Sequence, residues 1–191
     1  MTASLDTLAQ QLLDAAKAAG AEAADALALS GTSLSIDVLK GRLEHAERSE
    51  GVDIGLRVMV GQRQANVSAS DTSADTIAEM ARRAVAMARE APQDPTIGLA
   101  DPSQFARDWD VAAMELADPS AEPAPEALED DARTAEEAAL AVEGVSQVQA
   151  TSAGYGRTDI FLATSNGFAG GYGRTTRAVS LAAISGTGAE M

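Results

Sequence analysis

Between Gly51 and Gly61 the residues Val52, Ile54, Leu56, Val58 and Val60 recur at every second position. A period of two over that length gathers the apolar side chains on one face of a strand, whereas a helix would scatter them around its axis. Upstream, Leu34, Ile36 and Val38 alternate with Ser33, Ser35 and Asp37. Lys40-Gly41-Arg42 reads as a turn, and a polar strand follows over 43–50. Gly61-Gln62 punctuates the run, after which Ala65, Val67 and Ala69 begin again in the opposite direction. Connections this short join antiparallel neighbours, because a parallel return needs about a dozen residues or more. One apolar face and one face of Ser, Asp, Glu and Arg fit a sheet covered by helices on one side.

Helical periodicity supplies the cover. Leu5, Leu8, Leu12, Ala16 and Ala19 step by three and four, Ser4 stands at the N-cap position and Gly20 at C′. Ser73 caps a second helix with Ile77, Met80, Ala81, Ala84 and Ala88 on one face, stopped by Pro92. Pro92, Pro95, Gly98 and Pro102 make 92–103 a loop, and Trp109 after Phe105 is expected to anchor a loop to the core. From Glu115 to Glu143 acids dominate, with Arg133 alone against them. Pro119, Pro123 and Pro125 lead into a third helix with Leu128, Ala132, Ala135, Ala139 and Val142 as its stripe and a strongly acidic solvent face.

After Gly144 glycines crowd in, and 145–155, 159–164 and 173–185 read as strands. Asn166-Gly167 is a hairpin signal of the type I′ kind. The expected fold class is α+β: an antiparallel sheet covered by helices, an acidic helix, then a second Gly-rich antiparallel sheet. The segments are 1–103 (helix, strands, helix), 104–143 (loop plus acidic helix) and 144–191 (Gly-rich strands). The closing Gly186-Thr187-Gly188-Ala189-Glu190-Met191 directly follows a strand, so the chain is expected to be truncated before a C-terminal domain.

The chemistry is constrained by what the residues can supply. The chain has 191 residues, no cysteine and one histidine, His45. Disulfides, thiolate catalysis and cysteine-built zinc sites are excluded, and no site in it can use two imidazoles. A Ser–His–Asp triad can be written only around His45, which reads as a half-exposed strand residue among Glu44, Glu47 and Arg48. Gly154-Tyr155-Gly156 and Gly171-Tyr172-Gly173 lack the third glycine or the Gly-Lys-Ser/Thr of a phosphate loop, and read as tight turns or strand bends. Glu129-Asp130-Asp131 would point in different directions on a helix, which disfavours a cation site. Arg174 and Arg177 near Tyr172 face opposite sides of a strand. A formal charge of −15 disfavours direct nucleic-acid or anionic-membrane contact. No long apolar run and no secretory start are present, so the expected location is cytoplasmic.

The order of elements carries a resemblance. Gly20-Ala21-Glu22-Ala23-Ala24-Asp25, the strand pair about Gly41, and Gly51-Val52-Asp53-Ile54-Gly55-Leu56-Arg57-Val58 come first. Ala69-Ser70-Asp71-Thr72-Ser73, Pro92-Gln93-Asp94-Pro95 and Gly98-Leu99-Ala100-Asp101 follow, then Asn166-Gly167-Phe168, Gly170-Gly171-Tyr172 and Thr175-Thr176-Arg177. The series resembles the TldD/PmbA family, in particular its PmbA (TldE) branch, also labelled a modulator of DNA gyrase. The resemblance implies a cytosolic protein more than twice this length, of which this is the N-terminal region. It implies that a TldD-like partner carries zinc on an H-E-x-x-x-H motif and that PmbA-like subunits lack those ligands and pair with TldD as a heterodimer. No catalytic residue and no metal ligand is therefore carried onto this chain, its substrate-binding residues stay unassigned, and it holds no cofactor of its own. The implied partners are a TldD-like catalytic subunit or a second copy, with an extended peptide as substrate of the assembly. The resemblance thus implies a non-catalytic part of a metallopeptidase complex acting in proteolysis or peptide maturation. The alternative is a regulatory module that modulates DNA gyrase or its inhibitors without proteolysis.

Overall fold

The computed structural model describes residues 3–107 and 109–186. The elements run α1 (Leu5–Ala19), β1 (Ala23–Leu39), β2 (Arg42–Val60), β3 (Arg63–Ala69), α2 (Ala74–Glu90), a single 3-10 turn at Pro102–Gln104, α3 (Pro125–Leu140), β4 (Val145–Thr164) and β5 (Ala169–Ser185). The strands form one five-stranded sheet in the order β3-β2-β1-β4-β5. The α+β antiparallel class holds, but the Gly-rich strands extend the first sheet instead of building a second. The reason lies in strand length. Breaks read at 50–51 and at 156–158 are absent, and β1, β2 and β4 run unbroken for 17, 19 and 20 residues. A side chain at Gly31 would meet the Arg157 carbonyl at 3.8 Å, and one at Gly154 the Leu34 carbonyl at 3.6 Å. These glycines therefore lie where β1 and β4 run side by side, in mid-strand.

The chain divides into two compact units, 1–30 with 51–114 and 158–173, and 31–50 with 115–157 and 174–191. The division cuts through β1, β2, β4 and β5.

In the first unit α1 and α2 bury the faces their periodicity selects. Leu8, Leu12 and Ala16 of α1 and Ile77, Ala81, Ala84 and Ala88 of α2 lie in one cluster with Ala24, Ala26, Ala28, Ile54, Leu56, Val58 and Val67. Alanine opposite alanine lets helix and sheet approach closely, which is how so few aromatics suffice. β2 and β3 pair from Ile54↔Ala69 to Val60↔Arg63 around Gly61, whose φ of 58° suits the first central position of a two-residue hairpin turn. Gly20 ends α1 in the left-handed conformation, as expected. Ser4 stands at the N-cap of α1 as expected, but its hydroxyl makes no bond to the helix backbone and pairs with Thr7 Oγ1 at 2.8 Å.

Ser73 does cap α2, accepting from the Thr76 N–H at 3.3 Å. Asp71 supports the same turn, accepting from the Thr76 hydroxyl at 2.6 Å and from the Ser73 N–H at 2.9 Å. These bonds, the Thr76 hydroxyl first, hold the Asp71 carboxyl below its ordinary value. A carboxyl lowered by folding contributes stability that is complete above the ordinary carboxylate range and is lost as pH falls through the lowered value. The expected result is a melting temperature that drops as pH falls below about 4, with a shallower acid slope in Asp71→Asn, measured by thermal melts across that range.

In the second unit α3 lays Leu128 and Ala132 on Leu34, Ile36, Val38 and Ala153, with Tyr155 packed beside them. The part of β2 at 42–50 is exposed throughout, as its polar sequence predicts.

Candidate functional site

His45 is exposed on β2, and its Nε2 lies 3.5 Å from Glu47 Oε2. No serine is bonded to it among the described residues, so nothing there resembles a charge-relay arrangement. Of Glu129, Asp130 and Asp131, the first two both reach Arg133, Asp130 at 3.7 Å, and only Asp131 turns to a different partner. Glu129 bonds Arg133 one turn on, while Asp131 accepts from Arg177 Nε at 3.0 Å. Among the described residues no group of three or more His, Asp or Glu side chains is arranged to hold a metal ion. With one imidazole, exposed, and no thiolate, the chain does not supply the histidine or cysteine set of the usual zinc centres.

The two glycine pairs lie inside strands and open no helix, so the turn reading is replaced by one of close approach. At Gly171 an added Cβ would lie 2.9 Å from Phe161 Cδ2 and closer still to the Ile160 carbonyl oxygen.

What the fold does assemble is a pair of clasps. The first is in unit two, at the β1–β2 turn. Lys40 and Gly41 have φ of 55° and 69°, the two left-handed residues of a type I′ turn. Lysine has no glycine-like freedom there, so something must hold it. Glu136 does: it is only 3% exposed, and its two oxygens accept from the Lys40 and Gly41 N–H groups, each at 2.7 Å. Arg133 of the same helix donates to the Gly41 carbonyl at 3.2 Å. Glu136 thus leaves the acidic solvent face on which the sequence places it. The signal was present, since Leu128, Ala132 and Glu136 are spaced by four and share one helix face. Along the same unit Arg48 forks onto Glu122 at 2.9 and 3.3 Å, tying the Pro-rich lead-in to β2 and holding the Glu122 carboxyl low.

The second clasp is in unit one, at the β4–β5 hairpin. The expected hairpin exists, but Gly167 alone has a positive φ, of 104°, and the Gly167 N–H reaches the Thr164 carbonyl at 3.1 Å. That is a three-residue loop with a left-handed glycine, not a type I′ turn. Asn166 is freed to donate to the Ala100 carbonyl at 2.9 Å. Phe168 meets Phe105 and Trp109 in T-shaped contacts, with ring centroids 5.5 and 5.8 Å away. The indole lies directly on Gly170, where a Cβ would overlap it. Trp109 is the sole tryptophan, so Phe168→Ala is expected to shift its emission to longer wavelength while far-UV circular dichroism is retained.

These arrangements hold backbone and orient surfaces; none places a nucleophile beside a base. The comparisons with known proteins decide what such a chain is part of. The family model for PmbA/TldA metallopeptidase domain 1 matches residues 24–88, and the model for the PmbA/TldA metallopeptidase central domain matches 117–191. The chain belongs to the PmbA/TldD family. Its fold matches a candidate modulator of DNA gyrase from Bacteroides thetaiotaomicron with TM-score 0.80 and 24% identity, over 92% of this chain and 40% of that one. TldE from Thermococcus kodakarensis matches with TM-score 0.75 and 14% identity, over 95% of this chain and 40% of that one. A candidate gyrase modulator from Thermotoga maritima gives 0.68 and 13% with the same coverage. Among curated proteins nothing matches. The chain thus spans 40% of the length of these structures, and at such identities they show a shared fold. No helix among the described residues is long and apolar enough to cross a membrane.

Proposed function

We propose that this PmbA/TldD-family chain is the N-terminal portion of a PmbA/TldE-like subunit, cytoplasmic and non-catalytic, that works beside a TldD-like subunit in proteolysis or peptide maturation. Its part is framework and admission of extended peptide; zinc and bond cleavage belong to the partner. The observation that carries the reading is the ordered match to the first and central metallopeptidase domains on a chain with one histidine and no cysteine. Co-expression with a TldD-like protein tests it. The two should co-elute, and peptide cleavage that chelators abolish should require the partner; separate elution would overturn the pairing.

His45 serves as an internal control. As an exposed strand residue, His45→Ala should leave the activity of the assembly unchanged and alter stability by within about 0.5 kcal/mol. A folded mutant that has lost most activity would restore a hydrolase centred on this residue.

Two structural neighbours bear names that point to DNA gyrase, which favours a second reading as a gyrase regulator. With a charge of −15 such a regulator would act through protein contacts, and a supercoiling assay with added chain separates the two readings.

A further inference from the structure

Asparagine followed by glycine is reactive as well as turn-forming. The backbone nitrogen of the next residue can attack the asparagine Cγ, and glycine offers that nitrogen with no side chain in the way. The chain has two asparagines, Asn66 and Asn166. Asn66 lies within β3, opposite Arg57, and the β-branched Val67 that follows shields its nitrogen. Asn166 lies in the β4–β5 loop and is followed by Gly167. By sequence it is the labile asparagine of the pair.

The clasp opposes that reaction at three points. The Gly167 N–H, whose proton must leave before the nitrogen attacks, donates to the Thr164 carbonyl at 3.1 Å. Asn166 Oδ1 accepts from the Thr164 hydroxyl at 2.7 Å, and the hydroxyl accepts in turn from the Phe168 N–H at 3.0 Å. Asn166 Nδ2 donates to the Ala100 carbonyl at 2.9 Å. A side chain pinned at both ends cannot swing its Cγ onto the Gly167 nitrogen until it lets go of Ala100. Attack therefore waits on local opening, and its rate follows the population of the open form.

The product cannot take the old place. The Gly167 nitrogen gives its proton to solvent and bonds to Cγ, the Cγ–Nδ2 bond breaks, and ammonia leaves a five-membered succinimide. Water then opens one of the ring's two carbonyl–nitrogen bonds, giving aspartate or isoaspartate, and nothing is oxidised or reduced. An ionised carboxyl only accepts hydrogen bonds, so either product sets a carboxylate where the donor to Ala100 stood. Isoaspartate also adds a methylene to the main chain of a loop closed by the Thr164 N–H on the Phe168 carbonyl at 2.9 Å. The segment at stake begins at Asp94, whose N–H reaches the Gln62 carbonyl at 2.8 Å, and ends where the Phe105 ring meets Phe168. Asn166 ties its middle to the hairpin.

We propose that Asn166 is a self-modification site latched by Ala100: it deamidates only when the 94–105 loop lifts, and afterwards the loop no longer closes at that point. The latch and its loss are intrinsic to this chain and independent of any TldD-like partner.

The purified chain, incubated at mildly alkaline pH and mapped by peptide mass spectrometry, is compared with a blocked peptide spanning 160–172. Asn166 in the folded chain should convert at least about tenfold more slowly than in the peptide. Thr164→Val keeps a β-branched strand residue but frees Oδ1, and should move the rate several-fold toward that of the peptide. Asn166→Asp, which is one product itself, should speed tryptic cleavage after Arg107, just past the Phe105 contact. Unchanged deuterium exchange at 52–60 verifies that both variants are folded. Conversion in the folded chain as fast as in the peptide would overturn the latch. So would slower conversion in Thr164→Val, which would make the hydroxyl an activator of the attack. Unchanged cleavage after Arg107 in Asn166→Asp would show that the loop closes without the Asn166 donor, and would overturn the release.

Discussion

Gly171→Ala should destabilise the chain by about 3 kcal/mol or more, a larger loss than any surface substitution produces. The position tolerates no Cβ because the obstacle is backbone. The Ile160 carbonyl oxygen lies inside contact distance, and the Phe161 ring and Cα close the remaining space at 2.9 and 3.3 Å. A flexible side chain could swing aside; a ladder carbonyl moves only if β4 and β5 part. Urea unfolding of the parent and variant measures the difference, and Gly98→Ala, where a Cβ meets nothing within 4 Å, is the control. A Gly171→Ala midpoint equal to that of the control would show that β4 and β5 are not in this register.

Glu136→Ala should cost about 2 kcal/mol, because it strips two backbone N–H groups of a charged acceptor and leaves Lys40 in a left-handed conformation with nothing to hold it. Glu136→Gln keeps one acceptor oxygen and should lose roughly half as much. Replacing Lys40 with glycine in the Glu136→Ala background should recover part of the loss, since glycine adopts φ of 55° without strain. If Lys40→Gly restores nothing, the carboxylate acts on α3 alone and the turn does not depend on it.

The helices and the alternating strands were legible because burial in this chain follows period. The stripes of α1 and α2 and the even positions of β2 from Ile54 to Val58 are buried where the sequence places them. Strand continuity was not legible. Gly154 and Gly156 look like punctuation, yet each sits inside a long strand where another strand passes close by, and no local rule separates the two uses of glycine. The turn chemistry was exchanged for a similar reason. Asn166-Gly167 carries the stronger type I′ signal, but the conformation went to Lys40-Gly41, where a carboxylate 95 residues further along the chain accepts from the turn. That partner is invisible to any reading of neighbouring residues. The family was legible through the order of motifs and not through chemistry, since the chain has so little chemistry to read.

The most direct measurement of that last claim is metal content and peptide cleavage on the purified chain, alone and with a TldD-like subunit. The account predicts that the chain alone retains no stoichiometric zinc after dialysis and cleaves no peptide, and that both properties arrive with the partner. One tightly held zinc per chain, or cleavage by the chain alone that chelators abolish, would contradict it.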